Sequence, residues 1–218
     1  MKKIICFMIA AALVLANSVF AMPSEEQLKD LKTLEIMVGD EDGNMRLEDT
    51  ITRAEAAKMI CAIQGINVDS FAENIESSAF VDVPDSHWAK NYINCVKNLQ
   101  IVQGDENGRF NPEASITNEE IIKMLVVALG YGPMAEQTGG YPMGYTRTAQ
   151  KIGLMGDLKL KVDVPSVRGD VAMMFATALD IPLMAMSGWS ADGNNDYVIL
   201  DGSEGMDYRT LRTISFAE

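Results

Sequence analysis

The segments GDEDGNMRLEDTITRAEAAKMICAIQG (39–65) and GDENGRFNPEASITNEEIIKMLVVALG (104–130) overlay without a gap at a shift of 65 positions and share 11 of 27 residues. The identities fall where backbone conformation is decided: Gly39/Gly104, Asp40/Asp105, Gly43/Gly108, Ile51/Ile116, Thr52/Thr117, Glu55/Glu120, Lys58/Lys123, Met59/Met124 and Gly65/Gly130. A unit repeated at fixed period buries its apolar face against its own copies, so the duplication constrains the fold before any single residue does. A third, more diverged copy follows. Aligning Arg168 with Arg53 lays SVRGDVAMMFATALDI over ITRAEAAKMICAIQGI, after a loop two residues shorter. The lead-in segments 31–40, 96–105 and 148–157 also correspond, each ending in Gly-Asp.

Each copy reads as helix, loop, helix. In the second, Trp88, Tyr92, Ile93, Val96 and Leu99 recur at three- and four-residue steps, which predicts an amphipathic helix from about His87 to Gln100. The segment GDENGRFNP that follows is rich in turn residues and predicts a tight loop. Thr52 with Glu55, and Thr117 with Glu120, form T-x-x-E capping boxes that start the second helix. In the third copy Ser166 is expected at the cap, with Asp170 one residue later than a strict box. Apolar stripes such as Met59, Ile60 and Ile63, or Met174, Phe175 and Ala178, are expected core, and the methionines at helical spacing are part of that filling.

The N-terminus reads as a secretory signal: Lys2 and Lys3, an apolar run from Ile4 to Leu15, and a Val19-Phe20-Ala21 end. That run is shorter than the roughly 20 residues that span a bilayer, so no transmembrane segment is expected after cleavage. Cleavage after Ala21 leaves 197 of 218 residues and moves the formal charge from −13 to −15, because two lysines and no acids depart. So acidic a chain is not expected to bind nucleic acid, which needs clustered Lys and Arg to displace counterions. Of the two remaining cysteines, Cys61 occupies the Val126 column of an apolar helix face. Two buried thiols are the favoured reading, with a bridge between Cys61 and Cys95 left open by export.

The stretch FVDVPDSHWAKNYINCVKNLQIVQGDENGRFNPEASITNEEIIKMLVVALGY (80–131) resembles a surface-layer homology (SLH) repeat: an F-x-D-V lead, Trp-Ala opening the first helix, a G-D-x-x-G-x-F-x-P loop and a T-R-A-E second helix. The first copy carries that tetrapeptide as Thr52-Arg53-Ala54-Glu55, and the third matches in helix order and at Arg168. The resemblance covers about residues 25–183. It implies an all-α fold of three helix-loop-helix prongs around a pseudo-threefold axis, secreted and held non-covalently on the cell wall through anionic secondary cell-wall polysaccharide, often pyruvylated, bound in grooves between prongs. It further implies that Arg53 and Arg168 contact the acidic sugar and that Asp82 and Trp88 shape the groove. Asn118 stands where the second copy's arginine belongs, Pro23 falls in the Trp88 column of the first, and the third lacks both the F-x-D-V lead and the Trp. The expected organisation is a signal peptide at 1–21, repeats at 22–67, 78–131 and 141–183, and a partly ordered, β-like C-terminal extension at 187–218, offered as a contact for other surface proteins.

Physical chemistry supports the arginines independently of the family. A guanidinium just after a helix cap adds a planar, permanently charged fork to the positive end of the helix, where carboxylates are favoured. Asp82 is alternatively a cap for the helix near His87, and Trp88 a packing residue. Other chemistry is not expected. Counting EF-hand ligands from Asp40 puts Met45 at the glycine position and Ile51 at the bidentate-glutamate position, which removes that metal reading. His87 is the single histidine, no nucleophile motif or phosphate loop is present, and no cofactor or catalysis is expected. The main alternative is a structural or protein-interaction module with degenerate glycan sites; a polysaccharide-active enzyme fragment is a weaker third.

Overall fold

The computed structural model describes residues 22–72, 77–190 and 195–216, and the signal-peptide reading lies outside them. Among the described residues the chain is mainly helical, with one small sheet. The helices are α1 (Glu25–Thr33), α2 (Arg53–Ile63), α3 (Val68–Ala72), α4 (Lys90–Asn98), α5 (Asn118–Ala128), α6 (Gly132–Gln137), α7 (Met143–Lys151), α8 (Arg168–Ala178) and, after strands β1 (Met184–Trp189) and β2 (Asn195–Ile199), α9 (Leu211–Ser215). The fold class is the one the sequence predicts.

The capping boxes form as read. Thr52 Oγ1 accepts from Glu55 N at 3.1 Å while Glu55 Oε2 accepts from Thr52 N at 2.8 Å, and Thr117 and Glu120 repeat the arrangement in α5. Two readings change. Ser166 does not cap α8: the N-cap is Val167, with no side-chain bond, and the buried Ser166 hydroxyl donates to Asn118 Oδ1 at 2.5 Å. Ser166 lies in the Ile51 column, one residue too early for a cap, so its hydroxyl faces the neighbouring copy instead. The first helix of the second copy is also shorter than His87–Gln100. Residues before Lys90 form turns, with His87 Nδ1 accepting from Ala89 N at 3.1 Å, and Gln100 takes a positive φ of 59° that ends the helix.

At the centre three backbone segments close a ring. Ile116 N donates to Ile51 O at 3.0 Å, Ile51 N to Ser166 O at 3.2 Å, and Ser166 N to Ile116 O at 2.8 Å. Isolated bridges flank it in the same cyclic sense: Thr52 with Ser115, Thr117 with Pro165, and Val167 with Thr50. All three ring residues are 0% exposed, so each donor and acceptor there depends on its neighbour for satisfaction. Helix packing obeys the same cycle. The leading helices α4, α7 and α1 pack on the second helices α2, α5 and α8 respectively, so each prong joins two copies. The core between them holds the predicted stripes, with Ile60, Ile63, Ile121, Leu125, Met174 and Phe175 fully buried, each contributing about 1.5–3 kcal/mol. Cys61 and Cys95 are free, buried thiols on α2 and α4; their mutual hydrogen bond, then burial, pushes the Cys61 thiol up.

The C-terminal segment is part of this body rather than a loose appendage. Strands β1 and β2 pair antiparallel with an irregularity between Met186 and Gly188, and Met184 N donates to Leu129 O at 3.0 Å at the end of α5. The chain then returns, α9 begins with a Thr210–Thr213 capping box, and Leu211 is buried. Arg212 ties three elements together, donating to both oxygens of Asp180 at 2.6 and 2.9 Å and pairing with Asp30 of α1 at 3.0 Å.

Candidate functional site

Because α2 starts at the central ring, its first residue, Arg53, points into the second copy. Arg53 Nε donates to Phe110 O at 2.7 Å, Nη1 pairs with Glu120, and the guanidinium lies 4.9 Å from the centroid of the Phe110 ring. Arg168, first residue of α8, enters the first copy by the same route: Nε donates to Met45 O at 2.9 Å, Nη1 to Glu55 Oε1 at 3.3 Å and Nη2 to Val38 O at 3.1 Å. Met45 and Glu55 are the 65-residue counterparts of Phe110 and Glu120, so the two clasps are equivalent. Their side chains retain only 17% and 9% exposure. A capping-box glutamate thus uses one oxygen on its own helix and the other on the preceding copy's arginine.

Asn118 stands at the third junction. Its Nδ2 donates to Lys161 O at 2.9 Å and its Oδ1 accepts from Ser166, so a short neutral amide replaces the guanidinium and the residue is buried. Beside it, Glu119 accepts from Asp163 N at 2.8 Å.

A groove opens beside each arginine. The first, about 220 Å³, is lined by Arg53, Gly104, Glu120, Lys123, Met124 and Tyr141, among others. The second, about 200 Å³, is lined by Arg168, Val38, Glu55, Lys58, Met59 and Trp88, with Glu35 also on its wall. Each draws on three separate stretches of the chain: the arginine from one, the glutamate and lysine from a second, the aromatic from a third. Tyr141 and Trp88 play the same part, each standing two residues before the leading helix of its copy. Lys123 Nζ lies 5.4 Å from the Tyr141 ring centroid and 5.8 Å from that of Tyr145. Tyr145 donates its hydroxyl to Glu136 at 2.7 Å, and burial, then that carboxylate, pushes its phenol up to about 12.

The four residues singled out from sequence separate into pairs. Arg168 and Trp88 share one groove, where Trp88 is 54% exposed and stacks on His87 at 5.9 Å. Asp82 lies behind the other. Its carboxylate accepts from Phe110 N at 2.8 Å and Asn111 N at 2.7 Å, fixing the loop whose carbonyl receives Arg53, and it does not cap α4. Asp40 and Asp105 each accept two backbone amides of their own loops, a turn-fixing role that accounts for their identity. Sequence reasoning missed Glu55, Glu120, Lys58, Lys123 and Tyr141. The first four are visible as identities in the duplication; Tyr141 carries no such signal, because the tryptophan of the family pattern is missing from its stretch of the chain.

Residues 22–57 and 79–122 match the family described as S-layer homology domain, and these two segments are SLH domains of a cell-surface protein. Among similar proteins, a cell surface protein of Thermoanaerobacter kivui is 30% identical over 74% of this chain and 21% of its own length. The middle cell wall protein of Brevibacillus brevis is 26% identical over 88% of this chain and 19% of its own. A cellulosome-anchoring protein of Acetivibrio thermocellus is 38% identical over 36% of this chain and 17% of its own. The chain spans about a fifth of the length of these curated relatives. Among the described residues no helix is long and apolar enough to cross a membrane.

Proposed function

We propose that this cell-surface anchoring module binds anionic secondary cell-wall polysaccharide non-covalently in two grooves, the Arg53 groove and the Arg168 groove. The observation that carries the reading is their equivalence: each combines an arginine, a lysine and an aromatic face contributed by three different copies. On this reading residues 141–183 are a third, diverged repeat after those at 22–67 and 78–131, because they supply Arg168 to one groove and Tyr141 to the other. The acidic sugar, pyruvylated or otherwise carboxylated, lies over Trp88 or Tyr141, with the arginine forming the cationic wall. Asp82 acts at one remove by holding the Phe110 loop. With a net charge of −13 the whole chain repels an anionic polymer at long range, so capture depends on these local cations and weakens with salt. Catalysis forms no part of the reading: both ring nitrogens of His87 are engaged, by Ala89 N and by Glu113.

Sedimentation with purified walls tests the proposal. Co-sedimentation with intact walls, lost once the secondary polysaccharide is chemically removed, is the expected result; equal retention on stripped walls overturns it. A second reading, contact with another surface protein through the tail, is favoured by the exposure of Met186 and Trp189 on β1, Trp189 at 71%. Under that reading, a Trp189→Ala variant loses such a partner while keeping its wall binding.

A further inference from the structure

Two thiols touch inside the packed pair α2 and α4, and wall anchoring makes no use of them. Cys61 lies on α2 and Cys95 on α4, and both are buried. Cys61 Sγ also lies 3.6 Å from Tyr92 O, which is three residues before Cys95 on the facing helix. The hydrogen bond between the thiols runs from Cys61 to Cys95, pushing the Cys61 thiol up and the Cys95 thiol down. Cys95 is therefore the first to ionise, and the thiolate is the nucleophilic form of cysteine.

The other two helix pairs show that packing alone does not call for sulfur here. In the columns of Cys61 and Cys95, the pair α5 and α7 carries Val126 and Arg147, and the pair α8 and α1 carries Ala176 and Asp30. Val126 and Ala176 are buried as Cys61 is, whereas Arg147 is exposed and Asp30 is partly exposed and paired with Arg212. Cys95 is thus enclosed where its counterparts reach solvent. A thiol in both columns of one helix pair is a feature of the first pair alone.

We propose that Cys61 and Cys95 are oxidised to an intramolecular disulfide at the cell surface, and that this bond staples α2 to α4. The oxidant is a disulfide of a small thiol compound. The Cys95 thiolate attacks one sulfur of that oxidant, forming a mixed disulfide and expelling one thiolate, which takes up a proton. Cys61 then gives up its proton and attacks Cys95 Sγ, expelling the second. One S–S bond breaks and one forms; two electrons and two protons pass from the cysteine pair to the oxidant, which leaves as two thiols. Because both sulfurs are enclosed, exchange proceeds through local opening of the helix pair, and the finished bond is shielded from external reductant in the same way. The bond closes the chain from residue 61 to residue 95, a loop that holds α3, and so removes freedom from that stretch when the protein unfolds.

Equilibration of the exported protein with mixtures of oxidised and reduced glutathione, followed by denaturation, thiol counting and peptide mapping, tests this. With the oxidised form in excess, both thiols are expected to disappear and peptides joined through Cys61 and Cys95 to appear. The oxidised protein is expected to melt roughly 4–16 °C above the same protein kept in reductant. C61V, which carries the residue of the Val126 column, and C95A each keep one free thiol and melt at the same temperature in both buffers. The comparison of oxidised with reduced wild type needs neither variant, so it holds even where a variant folds poorly. Two thiols that persist under oxidising conditions overturn the inference, as does a stable glutathione adduct at one cysteine or a bond between two chains. A bridge that forms without raising the melting temperature overturns the staple. None of these readouts involves the wall, so they are independent of glycan binding.

Discussion

Arginine at the start of a helix can serve an external anion or an internal one, and Arg53 and Arg168 both have an internal one. Sequence inspection could find the arginines, because the tetrapeptide around Arg53 and the alignment of Arg168 mark them. It could not find their partners, because Glu55 and Glu120 already had a sufficient local explanation as capping residues. A carboxylate has two oxygens, and the second was free to serve a residue 67 or 113 positions away. Arg168→Ala should therefore destabilise the fold more than Arg53→Ala, since Arg168 makes three bonds in a drier setting. About 2–3 kcal/mol is expected for the first, which for a chain of this size lowers the melting temperature by roughly 4–12 °C. Chemical denaturation of the two variants checks the order. Tyr145 gives a pH signature. Its phenol is protonated in the fold up to about 12, whereas an unfolded tyrosine titrates near 10. The stability from this group is thus complete below the unfolded value and is lost as pH rises through the folded one. Tyr145→Phe should flatten the fall in stability between pH 10 and 12, read from melting curves across that range.

Elements were legible where a local signal sufficed and illegible where a neighbour decided. The boxes at α2 and α5 follow from four letters each. The start of α8 does not, because Ser166 occupies a ring column and its hydroxyl is claimed by Asn118. The start of α4 lies at Lys90 rather than near His87, because Trp88 continues the apolar period while its backbone is still in a turn. These differences have measurable counterparts. Thr52→Ala and Thr117→Ala should each cost about 1 kcal/mol, the usual worth of a cap. Ser166→Ala should cost about 1–3 kcal/mol, since it strips a buried amide oxygen of its donor. Urea denaturation of the three variants separates a cap from a buried network.

At the scale of the molecule the repeat predicted the architecture, but not how the tail would close it. The polar, glycine-rich composition after Pro182 and the short β-like run predict a partly ordered, β-like extension, and β1 and β2 form there; what holds them on the helical body is contacts no local pattern announces. One is the passage of β1 across the end of α5. Gly130 has φ +87°, and a Cβ there would lie 1.9 Å from Met184 O, so the strand can reach Leu129 only over a glycine. Gly130→Ala should displace β1 and cost about 3 kcal/mol or more, seen as faster amide exchange in β1 and β2 as well as a lower melting temperature.

The cyclic closure at Ile51, Ile116 and Ser166 bears on mechanics. No copy can be peeled away without rupturing the bonds on both of its flanks, so a tug on any one prong is shared by all three. An attachment that grips its support through separate clefts would in this way resist shear as a unit, giving way in a single abrupt step rather than by gradual unravelling.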